Sequence, residues 1–219
     1  PPSSGTYVIV QSIIHFFKMH SYTYTNRDYR ENRINYIKYK ENKDNKDNNN
    51  PIKLISSYPD NINLKNFFYY LLAPTLCYQE SYPTSGKFRP KYFILKSLKA
   101  LFCLTLLYYI YTEAIEHHLA EILTTPFPVL IIEIYVPMTF LCLILFYLIF
   151  ECILPGFAEL ASFGDRQFYD DWWNSTDLNE FNRKWNKIIH MFLHRHVYLE
   201  CKNKFKFGKT ISIGITFLI

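Results

Sequence analysis

Two long apolar stretches constrain this chain more than any other feature of its sequence. Residues 127–154 contain no Lys or Arg, and their only acidic residues are Glu133 and Glu151. An α-helix rises about 1.5 Å per residue, so this stretch exceeds a hydrocarbon core of roughly 30 Å. Residues 97–115 form a second stretch of sufficient length, with Lys99 near its start. The sequence therefore predicts an all-α, multi-pass transmembrane helical protein.

Two further apolar segments are weaker candidates for membrane spans. One covers residues 6–19, and the other begins near Thr210 and continues to Ile219. The mean hydropathy of −0.08 resembles that of a soluble domain. That average misleads, because the charged and apolar residues of this chain are segregated along its length.

Positive charge is distributed unevenly around the two main stretches. Lys and Arg residues crowd residues 87–99 and recur through residues 166–209, whereas residues 116–126 contain none. Because positively charged loops stay on the cytosolic side, we predict that residues 20–96 and 155–209 are cytosolic and that the loop at 116–126 is lumenal. The net charge of +5 is explained by this topology, and we predict no nucleic-acid partner.

The region that follows the candidate span at residues 6–19 differs in composition from the rest of the chain. Asn, Lys, Asp, Arg and Tyr dominate it, and such a stretch cannot bury enough apolar surface to offset the entropy lost on ordering. We predict three parts: residues 1–25 hold a first membrane span and its cytosolic exit, residues 26–57 form a low-complexity cytosolic insert, and residues 58–219 form a membrane domain. A short helix through about Tyr36 remains compatible with the insert.

The cysteines and histidines indicate neither disulfides nor a metal site. The five cysteines form no CxxC pair, and their number is odd. His190 and His194 have the spacing seen in zinc proteases, but no Glu follows His190 and no third ligand is evident. We therefore predict no bound metal.

Three short motifs stand out in the predicted cytosolic regions. Residues 58–61 read Tyr-Pro-Asp-Asn, residues 73–78 read Ala-Pro-Thr-Leu-Cys-Tyr, and residues 168–174 read Phe-Tyr-Asp-Asp-Trp-Trp-Asn. The polar groups of the third motif need hydrogen-bond partners wherever its rings are buried. The third motif therefore predicts a specifically packed loop rather than a plain interfacial belt of aromatic residues.

The stretch that follows the third motif has helical periodicity. Apolar residues recur at helical spacing through residues 185–197 and define one stripe. Asn186 and His190 are four residues apart, which places them one above the other beside that stripe. Spacing alone leaves two interpretations of Asn186 open, a core-bonded structural amide and a functional polar group.

Taken together, the motifs resemble those of the membrane-bound O-acyltransferases that esterify diacylglycerol or sterols with fatty acyl-CoA. The resemblance covers residues 6–219 apart from the insert. It rests on the FYxDWWN pattern at residues 168–174 and on the WNxxxH pattern that contains Asn186 and His190. The segment at residues 187–189 departs from the pattern, because it reads Lys-Ile-Ile where relatives often carry Ile-Pro-Val. The implied fold is part of the helical membrane fold of this family.

The resemblance also implies a set of functional residues. Asn186 and His190 are expected to be polar groups of the reaction chamber with supporting catalytic roles. The main catalytic histidine of the family is expected in an apolar segment beyond Ile219, so residues 1–219 alone should be inactive. The residues expected to bind acyl-CoA are Phe168, Tyr169, Asp171, Trp172, Trp173, Asn174, Tyr198 and Lys209.

Short motifs favour the type-one diacylglycerol O-acyltransferases within this resemblance. They are residues 58–61, the pair Cys77 and Tyr78, and residues 163–166, which read Phe-Gly-Asp-Arg. The implied reaction forms triacylglycerol from acyl-CoA and diacylglycerol in the endoplasmic reticulum membrane. Acyl-CoA is then a substrate, no cofactor is expected, and the expected partners are membrane lipid and further copies of the chain in a homo-oligomer. The alternatives are a sterol O-acyltransferase and a non-catalytic or structural membrane protein.

The predicted topology can be tested by labelling. In a cysteine-free background, single cysteines replace Leu119 and Thr176, and an impermeant thiol reagent is added to sealed microsomes. The charge asymmetry predicts that the cysteine at 176 is labelled and that the cysteine at 119 is labelled only after the membrane is permeabilised. Equal labelling of both in sealed vesicles would contradict the topology.

Overall fold

The structure is a computed structural model that describes residues 2–43, 56–120 and 125–218. Within these residues the secondary structure is helical, with one isolated β-bridge between Thr84 and Phe163 and no strand. The all-α prediction is therefore confirmed.

The helices belong to two compact units. The span unit comprises Pro83–Phe168, and the motif unit comprises Pro1–Tyr82 together with Tyr169–Ile219. The elements in chain order are α1 (Pro2–Lys43), α2 (Leu64–Leu72), α3 (Pro90–Ile110), a π-helical turn (Tyr111–Ile115), α4 (Glu116–Ala120), α5 (Phe127–Tyr147), a π-helical turn (Leu148–Ile153), α6 (Leu154–Leu160), a 3₁₀ turn (Trp172–Asn174), α7 (Leu178–Lys184), α8 (Lys187–Leu193), a π-helical turn (His194–Tyr198), α9 (Leu199–Asn203) and α10 (Lys209–Leu218).

Two helical stretches of the span unit are long and apolar enough to cross a membrane. They cover Pro90–Ile115 and Phe127–Leu160, with mean hydropathies of 1.7 and 2.5. Only 6% of the most apolar part of each is buried within the protein. So large an outward apolar surface requires lipid or another covering partner. The predicted spans at residues 97–115 and 127–154 lie inside these two stretches.

The two weaker candidate spans have different outcomes. Residues 6–19 lie within α1, and among the described residues only the two stretches of the span unit have the apolar length of a membrane span. Lys18, at the end of that candidate, is buried. The candidate that begins near Thr210 coincides with α10, whose described part is shorter than a bilayer-spanning helix requires.

A buried carboxylate organises the ends of the span unit. The side chain of Glu159 is 1% exposed, and its Oε2 lies 2.8 Å from Arg89 Nη2 and 2.5 Å from Arg166 Nη1. The backbone N–H of Arg89 donates to Glu159 Oε1 at 2.6 Å. Both guanidinium groups also lie over the ring of Tyr92, at 4.6 and 5.6 Å from its centroid. Glu159 therefore joins the residue that precedes α3 to the segment that follows α6.

In the motif unit, α1 extends through part of the segment predicted to be an insert. The helix runs without a break to Lys43, which is longer than the short helix expected through about Tyr36, and the division of the chain at residues 26–57 stays a prediction. Residues 44–55 of that predicted insert lie outside the described residues. One contact anchors the start of this segment: Asn26 is buried, and its Oδ1 accepts a hydrogen bond of 2.7 Å from Asn61 Nδ2.

Buried polar side chains of α1 bond to the segment that follows α2. Lys18 Nζ donates to the carbonyl oxygens of Tyr70, Leu71 and Ala73 at 2.7 to 2.9 Å. These carbonyls lie at the C-terminal end of α2, where helical hydrogen bonding leaves acceptors without partners and where a cation is favoured by the helix dipole. The motif at residues 73–78 is therefore held against α1 by polar contacts.

The Glu159 network makes a stability prediction. Glu159→Gln keeps the size of the side chain but removes the charge that faces Arg89 and Arg166. Because Arg166 is largely buried and Arg89 is screened by solvent, we expect a loss of about 2 kcal/mol, less than for a fully buried pair. The full-length protein in detergent micelles should show a lower Tm for this variant, whereas Glu116→Gln, at an exposed position of the same unit, should not. Equal Tm values for the two variants would contradict a stabilising role.

Candidate active site

The loop at residues 169–174 is fixed by ion pairs to the helices that follow it. Asp171 Oδ1 lies 3.0 Å from Lys184 Nζ, and Asp170 Oδ2 lies 3.2 Å from Lys187 Nζ. The hydrogen bond from Lys184 holds the pKa of Asp171 below its usual range. Trp172 meets the ring of Phe181 edge-on at a centroid distance of 5.8 Å. This confirms the prediction that the motif forms a specifically packed loop.

The start of α7 continues this ordered region. Asp177 is the N-cap residue, and its Oδ1 accepts a hydrogen bond of 2.8 Å from the backbone N–H of Glu180. Glu180 in turn accepts from the backbone N–H of Thr176 at 2.9 Å. That hydrogen bond, with a second from Lys184, lowers the pKa of Glu180 to about 2. Such reciprocal bonding is typical of a capped helix start.

Asn186 separates α7 from α8 and caps α8. Its Oδ1 accepts a hydrogen bond of 3.2 Å from the backbone N–H of Ile189, and its backbone carbonyl accepts from the N–H of His190. The helix therefore starts at Lys187, one position after Asn186, rather than including Trp185 as the apolar periodicity predicted. Because the cap uses the amide oxygen, the Asn186 amide nitrogen is the part of the side chain left to donate to a ligand.

A cavity of about 600 Å³ lies beside Asn186 in the motif unit. Its wall combines the end of α7, one face of α8 with the π-helical turn that follows, and α10. Polar groups at the α7 side face apolar groups of α8 and α10. The lining residues are Asp177, Asn179, Asn182, Arg183, Trp185, Asn186, Ile189, His190, Leu193, His194, Tyr198, Ile213, Thr216 and Phe217.

A column of three rings forms one side of the cavity. His190 stacks on His194 at a centroid distance of 6.2 Å, and His194 stacks on Tyr198 at 5.4 Å. Burial, followed by the nearby His194 and Arg183, lowers the pKa of His190 below its usual value. The imidazole of His190 is therefore neutral at neutral pH, and one of its nitrogens can accept a hydrogen bond or a proton.

Three of the predicted site residues line the cavity. Asn186, His190 and Tyr198 line it together. Among the described residues, the aromatic-loop positions and Lys209 are not part of its wall, so their assignment to acyl-CoA binding stays a prediction. Phe168 belongs to the span unit and is buried, whereas Trp173 is 67% exposed. The residues outside the cavity wall are Phe168, Tyr169, Asp171, Trp172, Trp173, Asn174 and Lys209.

Among the cavity residues that were not predicted as site residues, His194 and Arg183 act on His190. His194 was considered only as a metal ligand, although its position four residues after His190 is also the signal that places both rings on one helix face. Arg183 lies near the end of α7, and its charge acts on His190 across the break at Asn186. No helical spacing connects Arg183 to α8, because the break changes the direction of the chain.

The fold and this cavity define a helical protein with apolar helices of membrane-spanning length and, in its motif unit, a largely apolar cavity that contains a few polar groups. Residues 9–219 match the model of MBOAT, the membrane-bound O-acyltransferase family. The chain therefore belongs to this family.

Several curated relatives share a large part of this chain. It is 42% identical over 169 residues to a probable sterol O-acyltransferase 1 of Schizosaccharomyces pombe, covering 74% of this chain and 32% of the relative. It is 30% identical over 223 residues to diacylglycerol O-acyltransferase 1 of Corylus americana, covering 99% and 40%. It is 32% identical over 205 residues to diacylglycerol O-acyltransferase 1 of Bos taurus, covering 90% and 42%. The chain thus spans less than half the length of these relatives.

Proposed function

We propose that the full-length protein is an acyl-CoA-dependent O-acyltransferase, a multi-pass protein of the endoplasmic reticulum membrane that esterifies the hydroxyl group of a neutral lipid. The observation that supports this proposal most is the cavity wall formed by Asn186, His190 and Tyr198. Its mixed lining suits a substrate with a polar carrier and an apolar acyl chain. Family membership supports the reaction class.

The reaction transfers an acyl group from sulfur to oxygen. The lipid hydroxyl attacks the thioester carbonyl, the C–O bond forms, the C–S bond breaks, and CoA leaves as a thiol. A hydroxyl is a weak nucleophile at neutral pH, so a histidine base must take its proton during attack. The family resemblance assigns that base to a histidine other than His190, and the neutral His190 has the supporting role of accepting a hydrogen bond within the cavity.

Asn186 is suited to stabilise the oxyanion that develops at the thioester carbonyl. Its oxygen is held by the backbone N–H of Ile189, which fixes the plane of the amide and leaves the amide nitrogen as a donor. A donor whose orientation is already set costs no reorganisation in the transition state. The N-cap bond and the catalytic role therefore belong to the same side chain, and the two sequence-based interpretations of Asn186 are combined.

Diacylglycerol is the acceptor that the short motifs favour, and a sterol is the second candidate. The motifs at residues 58–61 and 163–166 support the first. The 42% identity to the probable sterol O-acyltransferase of Schizosaccharomyces pombe supports the second, because it exceeds the 30% and 32% identities to the two diacylglycerol O-acyltransferases above. That identity covers a smaller part of the chain.

A direct assay separates the two acceptors. The full-length protein in detergent micelles receives radiolabelled oleoyl-CoA with either diacylglycerol or a sterol, and the ester products are separated and counted. We expect triacylglycerol to form with a kcat/KM about tenfold or more above that for the sterol ester. The opposite preference would assign the sterol as acceptor. Absence of both products from a folded protein would contradict the proposed reaction.

The role of Asn186 is tested by Asn186→Asp. Aspartate retains the N-cap acceptor but removes both amide donors, so stability should change little while kcat falls roughly a hundredfold or more. Asn186→Ala should lose the cap as well, with a stability loss of about 1 kcal/mol. Both kcat and Tm are measured for each full-length variant.

The matched control for this experiment is Asn63→Asp. Asn63 caps α2 in the same way, with its Oδ1 accepting from the backbone N–H of Asn66 at 2.8 Å, but it is not part of the cavity wall. We expect its kcat to remain at the wild-type value. A stable Asn186→Asp variant with wild-type kcat would remove Asn186 from the reaction.

A further inference from the structure

The helix that carries the ring column has a second, buried face. Phe192 and His196 are four residues apart on that face, and they are 3% and 6% exposed. Phe192 packs on Phe17 of α1 at a ring-centroid distance of 4.5 Å. His20 of α1 meets His196 edge-on at 5.5 Å. This face of α8 and its π-helical turn therefore rests on α1, while the opposite face lines the cavity.

One hydroxyl group connects three segments behind the cavity. Ser21 of α1 is fully buried, and its Oγ lies 2.8 Å from His196 Nε2. The same oxygen accepts a hydrogen bond of 2.8 Å from the backbone N–H of Tyr78. The carbonyl of Tyr78 in turn accepts from Arg195 Nη1 at 3.1 Å. Ser21 and the Tyr78 peptide group thus tie the motif at residues 73–78 to the π-helical turn.

The protonation state of His196 follows from its surroundings. Burial lowers the pKa of His196 to about 4, and the charges of Arg195, His20 and Lys204 act in the same direction. The neutral ring has one acceptor nitrogen. Since Ser21 Oγ already accepts from Tyr78, the Ser21 O–H is available to donate to His196 Nε2. This arrangement gives each of the three groups a partner.

We propose that His196 is a positioning residue, which acts through its hydrogen bond to Ser21 to set the placement of His190, His194 and Tyr198 along the cavity. The inference rests on the proposed acyl-transfer function for its kinetic consequence. The π-helical turn at His194–Tyr198 couples the two faces of the helix. Within this one turn, His196 contacts α1 and Tyr198 lines the cavity. Wide turns of this kind occur frequently at functional sites.

Loss of the hydrogen bond between Ser21 and His196 should lower kcat more than it changes the KM for oleoyl-CoA. A small displacement of a group that orients a substrate costs on the order of tenfold to a hundredfold in rate. We expect Ser21→Ala and His196→Leu each to lower kcat of the full-length enzyme within this range, with KM for oleoyl-CoA nearly unchanged. Ser21→Ala removes this bond together with the bond that Ser21 Oγ accepts from the N–H of Tyr78, whereas His196→Leu removes only the first. The double variant should therefore lose no more than Ser21→Ala alone.

Two variants serve as controls. His196→Gln places an amide oxygen where it can accept from Ser21, and it should retain kcat within about threefold of wild type. Ser12→Ala removes another α1 hydroxyl, which donates to the carbonyl of Val8 within the helix and, in the described part of the chain, bonds to no other segment. Its kcat should not change. Additive losses in the double variant, or a His196→Gln variant as impaired as His196→Leu, would overturn the proposal.

A second measurement does not depend on the reaction. Hydrogen exchange of the full-length protein in detergent micelles, followed by mass spectrometry, should show faster exchange in residues 75–78 and 194–198 for Ser21→Ala than for wild type or His196→Gln. If exchange in these two segments is the same in Ser21→Ala as in wild type, the proposed contact between Ser21 and His196 is contradicted. If the wild-type protein transfers no acyl group to a lipid alcohol, the proposed function fails, and the exchange pattern alone then decides whether this contact exists. If Ser21→Ala does not fold, His196→Leu and His196→Gln provide the same comparison.

Discussion

Backbone groups that leave a helix need new hydrogen-bond partners, and in the motif unit α1 supplies them. Lys18 bonds to the carbonyls at the end of α2, Ser21 accepts from the N–H of Tyr78, and Asn26 accepts from Asn61. Where such groups are buried, they cannot rely on water. The polar face of α1 therefore allows the non-helical motifs at residues 58–61 and 73–78 to pack as ordered structure.

The cavity depends on this arrangement through α8. One face of α8 packs on α1 and on the motif at residues 73–78, so the opposite face is presented as a wall. The break at Asn186 then turns the end of α7 toward the same space. The bond that Asn186 accepts from Ile189 at this break also orients its amide nitrogen, as the proposed oxyanion role requires. The cavity is thus a consequence of how the helices begin and pack.

The sequence predicts the parts of this structure that depend on local pattern. The two apolar stretches are long enough to identify the spans by themselves, and the apolar periodicity of residues 185–197 identifies α8 and its extension. The start of α8 is misplaced because an apolar residue before a cap continues the periodicity although the helix has not begun. The helix through residues 26–43 is only partly anticipated, because its polar composition supports no more than a short helix through about Tyr36 and gives no sign of the contact between Asn26 and Asn61.

The contacts behind the cavity are harder to predict. Ser21 and His196 are 175 positions apart, and Lys18 is 52 positions from Tyr70. A serine and a lysine at the polar end of an apolar segment look like ordinary interfacial residues, and nothing in their local pattern indicates a distant partner. Asn186, His190 and Tyr198, which line the cavity, were instead predicted as site residues through a resemblance between short motifs.

The central claim is that packing on α1 orients Asn186 so that its amide nitrogen points to the reacting carbonyl. The most direct measurement is an experimental structure of the full-length protein in lipid nanodiscs with a non-hydrolysable ketone analogue of acyl-CoA, in which a methylene group separates the sulfur from the carbonyl carbon. The account predicts that the analogue enters the cavity, with its carbonyl oxygen within hydrogen-bond distance of Asn186 Nδ2 and with the Asn186 oxygen still bonded to Ile189. A ligand bound elsewhere, or an Asn186 nitrogen turned away from it, would contradict the account.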